Sequence, residues 1–156
     1  MKKLLLLLCL ALASGCSSST EEDFAQAVEN TQDPAAVIVE KSDSSVTIEA
    51  KKDLESFGEA LEVLKDQGLL EWNGSNDSMG LYITEVDSTS ADSSENTYWA
   101  FYTDLLEDGD VIYASLDSGS FTVEDHKLAY ASYGVSSVPF RKGYWYALVF
   151  ETYQPE

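Results

Sequence analysis

The chain has 156 residues, of which 28 are acidic, 9 basic and one a histidine, giving a formal charge of −19. That charge repels phosphate backbones and anionic lipid headgroups, which argues against nucleic acid as a partner and against electrostatic attachment to a membrane. The length suits one domain with a short extra segment.

Lys2-Lys3, an apolar run from Leu4 to Leu12, and the small residues Ala13-Ser14-Gly15 ahead of Cys16 have the layout of a secretory signal peptide. The apolar run is too short to span a bilayer as a mature helix. The same segment resembles a bacterial lipobox, in which small residues precede a cysteine that becomes the lipidated first residue, although Ala13 stands where most lipoboxes have leucine. An ordinary signal peptide cleaved nearby is the alternative. On the lipobox reading residues 1–15 are the leader and Cys16 is the lipidation site. Two or more acyl chains there would hold the chain firmly on the extracytoplasmic face of the membrane. Cys9 leaves with the leader, so no disulfide is expected, and losing Lys2 and Lys3 makes the mature chain more acidic still.

Residues 16–35 are mainly Ser, Glu, Asp, Gln and Ala with little to bury, and read as a flexible tether. The domain is expected over 36–156. Val37-Ile38-Val39 and Val46-Thr47-Ile48 are short β-branched runs joined by a polar stretch, the signature of a hairpin. Leu54, Phe57, Leu61 and Leu64 then recur at helical spacing, predicting a helix of about four turns with Asp53 as N-cap and Gly68 as the stop. Beyond it come an edge strand over Leu69 to Trp72, a turn at Asn73-Gly74, a strand from Gly80 to Val86 and a polar loop from Ser88 to Asn96.

Tyr98-Trp99-Ala100-Phe101-Tyr102 is the densest aromatic run and reads as a central strand. Alternation puts Tyr98, Ala100 and Tyr102 on one face and Trp99 and Phe101 on the other. Both faces are apolar, so either both are covered or one offers aromatics to a ligand. The larger apolar content of Trp99 and Phe101 assigns them to the helix side. The acidic segment from Leu105 to Tyr133 holds further strands at Val111 to Leu116 and Phe121 to Glu124, and a last strand runs from Tyr144 to about Tyr153. Two strands, one helix and then more strands predict an α+β fold of β-grasp type, with the helix packed on a mixed or antiparallel sheet and a hairpin-containing segment inserted before the last strand.

Candidate chemistry is sparse. His126 has no cysteine to join it as a metal ligand and reads as a surface histidine. Glu107-Asp108-Gly109-Asp110 lacks the twelve-residue calcium-loop pattern and reads as a solvated turn. No Gly-x-Ser-x-Gly elbow marks a hydrolase, and paired carboxylates cannot be chosen among 28 acids without geometry. No cofactor or metal is expected. Among the aromatics, Tyr82, Tyr98, Trp99, Tyr102, Tyr144, Trp145 and Tyr146 combine apolar area with polar handles, and one helix cannot cover both faces of a sheet, so some of them should be exposed.

Three motifs in order, Gly80-Leu81-Tyr82-Ile83-Thr84-Glu85-Val86-Asp87, Tyr98-Trp99-Ala100-Phe101-Tyr102 and Gly134-Val135-Ser136-Ser137-Val138-Pro139-Phe140-Arg141-Lys142-Gly143, together resemble the transcobalamin C-terminal-like domain family over roughly residues 45 to 153. The chain departs from that family at Asp104-Leu105, where Asn-Gly is usual, and in an insertion of roughly 25 residues before the third motif. The resemblance implies a non-catalytic, ligand-facing module for a cobalamin-like or other small ligand, and the aromatic pattern supplies Tyr82, Tyr98, Trp99 and Tyr102 as its candidate ligand-binding residues. The alternative is a structural or adhesive lipoprotein whose domain contacts another surface protein.

Overall fold

The computed structural model describes residues 33–155. Cys16, the leader and most of the expected tether lie outside the described residues. The carbonyl of Ala35 already accepts N–H bonds from Lys51 and Lys52, and the first strand, β1 (Ala36–Lys41), follows directly. It forms the expected hairpin with β2 (Ser45–Ala50).

The helix, α1 (Phe57–Asp66), is shorter than its hydrophobic spacing predicts. Ser56, not Asp53, is the N-cap: its Oγ accepts the Glu59 N–H at 3.2 Å, while the Glu59 carboxylate reaches back to the Glu55 N–H. The Ser56-x-x-Glu59 spacing of a capping box was the overlooked signal. Asp53 accepts the Lys142 N–H instead, and Leu54 lies on extended backbone bridged to Phe140. Gly68 does end the helix. Its positive φ of 70° lets the Leu69 N–H bond to the Leu64 carbonyl and its own N–H bond to that of Lys65.

The next elements are β3 (Trp72–Asp77), β4 (Gly80–Val86), β5 (Thr89–Ser90), a 3₁₀ turn (Ser93–Glu95) and β6 (Thr97–Thr103). Asn73-Gly74 is therefore not a turn but part of β3, which reverses at Ser78-Met79. A β-carbon on Gly74 would fall 2.8 Å from both Leu81 Cδ1 and the Tyr82 carbonyl oxygen, so the glycine permits close approach at a register shift. The expected loop over Ser88 to Asn96 contains β5 and the 3₁₀ turn.

The acidic segment also differs from expectation. It forms β7 (Glu107–Asp108), β8 (Val111–Ile112), β9 (Ala114–Val123) and β10 (His126–Ala131). The strand expected over Val111 to Leu116 is broken at Tyr113, that over Phe121 to Glu124 is the end of the longer β9, and β10 was not foreseen. A second 3₁₀ turn (Val135–Ser137) precedes β11 (Trp145–Thr152).

The main sheet has the order β1-β2-β11-β6-β10-β9, and every neighbouring pair is antiparallel. A second antiparallel sheet runs β3-β4-β5, and β7-β8 is a separate hairpin. The described residues thus form a mostly-sheet α+β fold with one helix on antiparallel sheets. Phe57, Leu61 and Leu64 of α1 are fully buried among Trp99, Phe101, Tyr146 and Leu148 of the main sheet. The Phe57 ring stacks on Phe101 at 4.9 Å and on Tyr146 at 5.0 Å. Trp72 fastens the second sheet to the helix by donating from Nε1 to the Leu61 carbonyl at 3.1 Å. Trp99 and Phe101 therefore take the helix side, as their apolar content predicts. Among the described residues no helix is long and apolar enough to cross a membrane.

Candidate functional site

The first and third sequence motifs meet in space through glycine. The Gly134 N–H donates to the Met79 carbonyl at 3.0 Å, and the Leu81 N–H donates to Ser136 Oγ at 2.9 Å. A side chain at Gly80 would collide with Ser137 Oγ at 2.6 Å, where the φ of 118° also favours glycine. This interlock sets β4 beside the 3₁₀ turn at Val135 and close to β6.

The second motif supplies the remaining wall. β10 pairs with β6 only at Ala129 with Thr103 and Tyr130 with Tyr102. A narrow cleft with about 30 Å³ of free volume lies beside β6, lined by Leu81 and Tyr82 of β4, Trp99 and Phe101 of β6, Tyr130, and the Tyr133–Val135 stretch. All three motifs thus converge on one feature.

The four aromatic candidates divide between this cleft and the sheet face away from the helix. Tyr82 is 39% exposed at the cleft. Trp99 is only 6% exposed; its Nε1 donates to the Thr89 carbonyl at 3.0 Å and its ring lies 5.3 Å from Phe150, so it forms a wall and not a projecting platform. Tyr98 and Tyr102 lie on the helix-free face with Ala100, Ala147 and Val149. Tyr98 is half-buried and Tyr102 is 5% exposed.

Both hydroxyls on that face point to one carboxylate. Tyr98 donates to Glu151 Oε2 at 2.9 Å and Tyr102 to Glu151 Oε1 at 2.6 Å. The strand register pairs Tyr102 with Ala147 and Tyr98 with Glu151, so the Tyr102 ring must extend along the sheet over Ala100 to reach the acid. Small residues beneath make that possible. Tyr130 stands edge-on to Tyr102 at 5.4 Å and also lines the cleft, so the two features share it.

The electrostatics keep all these phenols neutral. Burial, then the hydrogen bond to Glu151, pushes Tyr98 up to about 12. The same causes raise Tyr102 further, and Tyr130 is raised by burial and then by the Glu151 charge. Tyr82 is raised by burial and then by Asp77. The site is an assembly of neutral phenols, apolar walls and one acid, suited to binding by contact and hydrogen bonding.

Glu151, Tyr130 and Tyr133 were not among the sequence candidates. Glu151 carried a signal, since alternation along β11 puts it on the same face as Trp145, Ala147 and Val149, where a charge is out of place. Tyr130 and Tyr133 lay in the acidic segment, whose strand pairing the sequence pattern did not reveal. His126 is half-exposed but not loose: its ring stacks on Trp145 at 3.8 Å, and Nδ1 lies 3.3 Å from Asp104, whose other oxygen accepts the Trp145 N–H. Asp108 of the acidic turn faces Arg141 at 3.3 Å. Among the described residues no group of three or more His, Cys, Asp and Glu is placed to hold a metal.

No family model, no curated protein and no solved structure matches this chain.

Proposed function

We propose that this chain is a non-catalytic binding module of the cell surface, held on the extracytoplasmic face of the membrane by lipid on Cys16, with a domain of β-grasp type similar to the transcobalamin C-terminal-like family. The observation that carries the reading is the meeting of three sequence-distant motifs, through Tyr82, Trp99 and Gly134, at one cleft beside the tyrosine-lined face. The β-grasp assignment draws support from the hairpin ahead of the helix and from the return of the last strand beside β2.

Small-molecule sites usually enclose about 300–1,000 Å³. At about 30 Å³ the cleft takes in a side group of a ligand, not a whole corrinoid. That size favours the second reading, contact with another surface protein across the tyrosine face. Strand addition to the main sheet fits less well, because a register shift interrupts both of its edge strands, β1 between Ile38 and Glu40 and β9 opposite Ala129 and Tyr130.

Two measurements test the proposal. Cys16→Ala should release the chain from the membrane fraction on detergent phase separation while the domain stays folded; continued partition with membrane overturns the anchor. A thermal-shift screen over corrinoids, other cofactors and glycans should yield a ligand whose stabilisation is lost in Tyr82→Ala. A hit indifferent to Tyr82 would remove the cleft from the reading.

A further inference from the structure

We propose that Glu151 and the tyrosines around it form a site for an organic cation carrying N–H donors, of the guanidinium class. This rests on the reading of the tyrosine face as a binding surface and adds the chemistry of what it binds.

The argument begins with hydrogen-bond direction. Tyr98 and Tyr102 spend their only donors on Glu151, one on each oxygen. A carboxylate has about four acceptor sites and a phenol oxygen keeps lone pairs after donating, so what Glu151, Tyr98 and Tyr102 still offer is acceptors alone. A ligand that satisfies them must bring donors.

Charge narrows the class. Glu151 is half-buried, and none of the ion pairs formed among the described residues, Lys41 with Asp87, Lys51 with Glu49, His126 with Asp104 and Arg141 with Asp108, includes it. A carboxylate drawn partly out of water, supported by phenols and with no counter-ion among the described residues, is completed by a cation. The chain's charge of −19 attracts cations and repels anions at long range.

Ring geometry favours a planar cation. Tyr98 and Tyr130 are both half-buried, so parts of their rings remain accessible, and Tyr130 stands perpendicular to the buried Tyr102 ring. Guanidinium stacks on aromatic faces while donating to a carboxylate, whereas a quaternary ammonium has no donor to give. Tyr102 acts as a positioning residue.

The test uses the full chain in a neutral detergent, with agmatine as the probe and an uncharged-ended Gly-Arg-Gly peptide as a second guanidinium source. Tetramethylammonium and sucrose serve as donor-free cation and neutral polyol. Agmatine or the peptide should move the amide resonances of Tyr98, Tyr130 and Glu151 saturably, and which of them binds more tightly tells a free ligand from a peptide side chain. Glu151→Gln should weaken binding by at least about tenfold, the loss expected for a hydrogen bond to a charged group. Tyr130→Leu, which keeps an apolar side chain but removes the ring, should weaken it with Glu151 intact.

Tetramethylammonium binding as tightly as agmatine, sucrose moving the same resonances, or agmatine binding equally to the Glu151→Gln protein would each overturn the proposal. So would shifts scattered over the acidic surface without saturation. A ligand from the thermal-shift screen that depends on Tyr82, together with agmatine and the peptide failing to bind, would leave the binding-module reading standing and this inference refuted.

Discussion

A β-carbon on Gly134 would fall 2.6 Å from the carbonyl oxygen of Leu81, so the chain ahead of β11 and the start of β4 touch backbone to backbone. Neither partner has a flexible atom that can give way. Gly134→Ala should therefore destabilise the fold by about 1–3 kcal/mol or more, the cost of overpacking a closed contact. Gly109→Ala, where nothing lies within 4 Å, is the comparison and should cost only the strain of its positive φ of 64°. Denaturant melts of the two variants check the order; equal losses would mean that the interlock is not rigid.

Trp99 and Tyr98 are neighbours on opposite faces of β6 and should behave differently. Trp99→Ala removes a buried ring packed on Phe150 and should cost about 3–5 kcal/mol. Tyr98→Phe keeps the ring and loses one hydrogen bond at a half-buried position, for a cost of about 1 kcal/mol. Equilibrium unfolding distinguishes them. A larger loss for Tyr98→Phe would reverse the roles of the two faces.

The helix is held by burial more than by its cap. Leu61→Ala should cost about 2–5 kcal/mol, because the side chain is fully buried between helix and sheet. Ser56→Ala, which leaves the Glu59 N–H without its partner, should cost about 1 kcal/mol. If Leu61→Ala shifted stability by less than about 0.5 kcal/mol, the helix would not be packed as described.

The tyrosine face gives a pH dependence of definite sign. Tyr98 ionises near 10 in an unfolded chain and near 12 in the fold, so folding favours its neutral form. The stabilisation is complete below pH about 10 and is lost as pH rises through about 12. Tyrosine-selective carbon NMR should show Tyr98 titrating well above the ordinary tyrosine value, and Glu151→Gln should bring its ionisation down. Titration of Tyr98 at the ordinary tyrosine value in the unaltered protein would contradict its burial and its hydrogen bond to Glu151.

The sequence by itself determined those features that depend on local periodicity and on the size of side chains. The alternation within Tyr98-Trp99-Ala100-Phe101-Tyr102 separates the faces of β6, and the bulk of Trp99 and Phe101 picks the helix side. The spacing of Phe57, Leu61 and Leu64 shows the helix, and Gly68 marks its end, because an apolar stripe and a left-handed stop are written in neighbouring residues. Even the misplaced N-cap was legible in Ser56 and Glu59.

Only the tertiary structure decided which distant segments touch. β9 and β10 carry Ser, Asp, Gly and Lys among few large apolar residues, so nothing in their pattern announces that they complete the main sheet beyond β6. Asn73-Gly74 has the composition of a turn, yet Gly74 is needed for the approach of Leu81, which lies across a hairpin. Glu151 becomes the centre of a site because the register of β11 against β6 brings two hydroxyls to it from residues about fifty positions away. Strand pairing is set by hydrogen bonds and packing between remote residues, and periodicity within one strand holds no information about which strand will lie beside it.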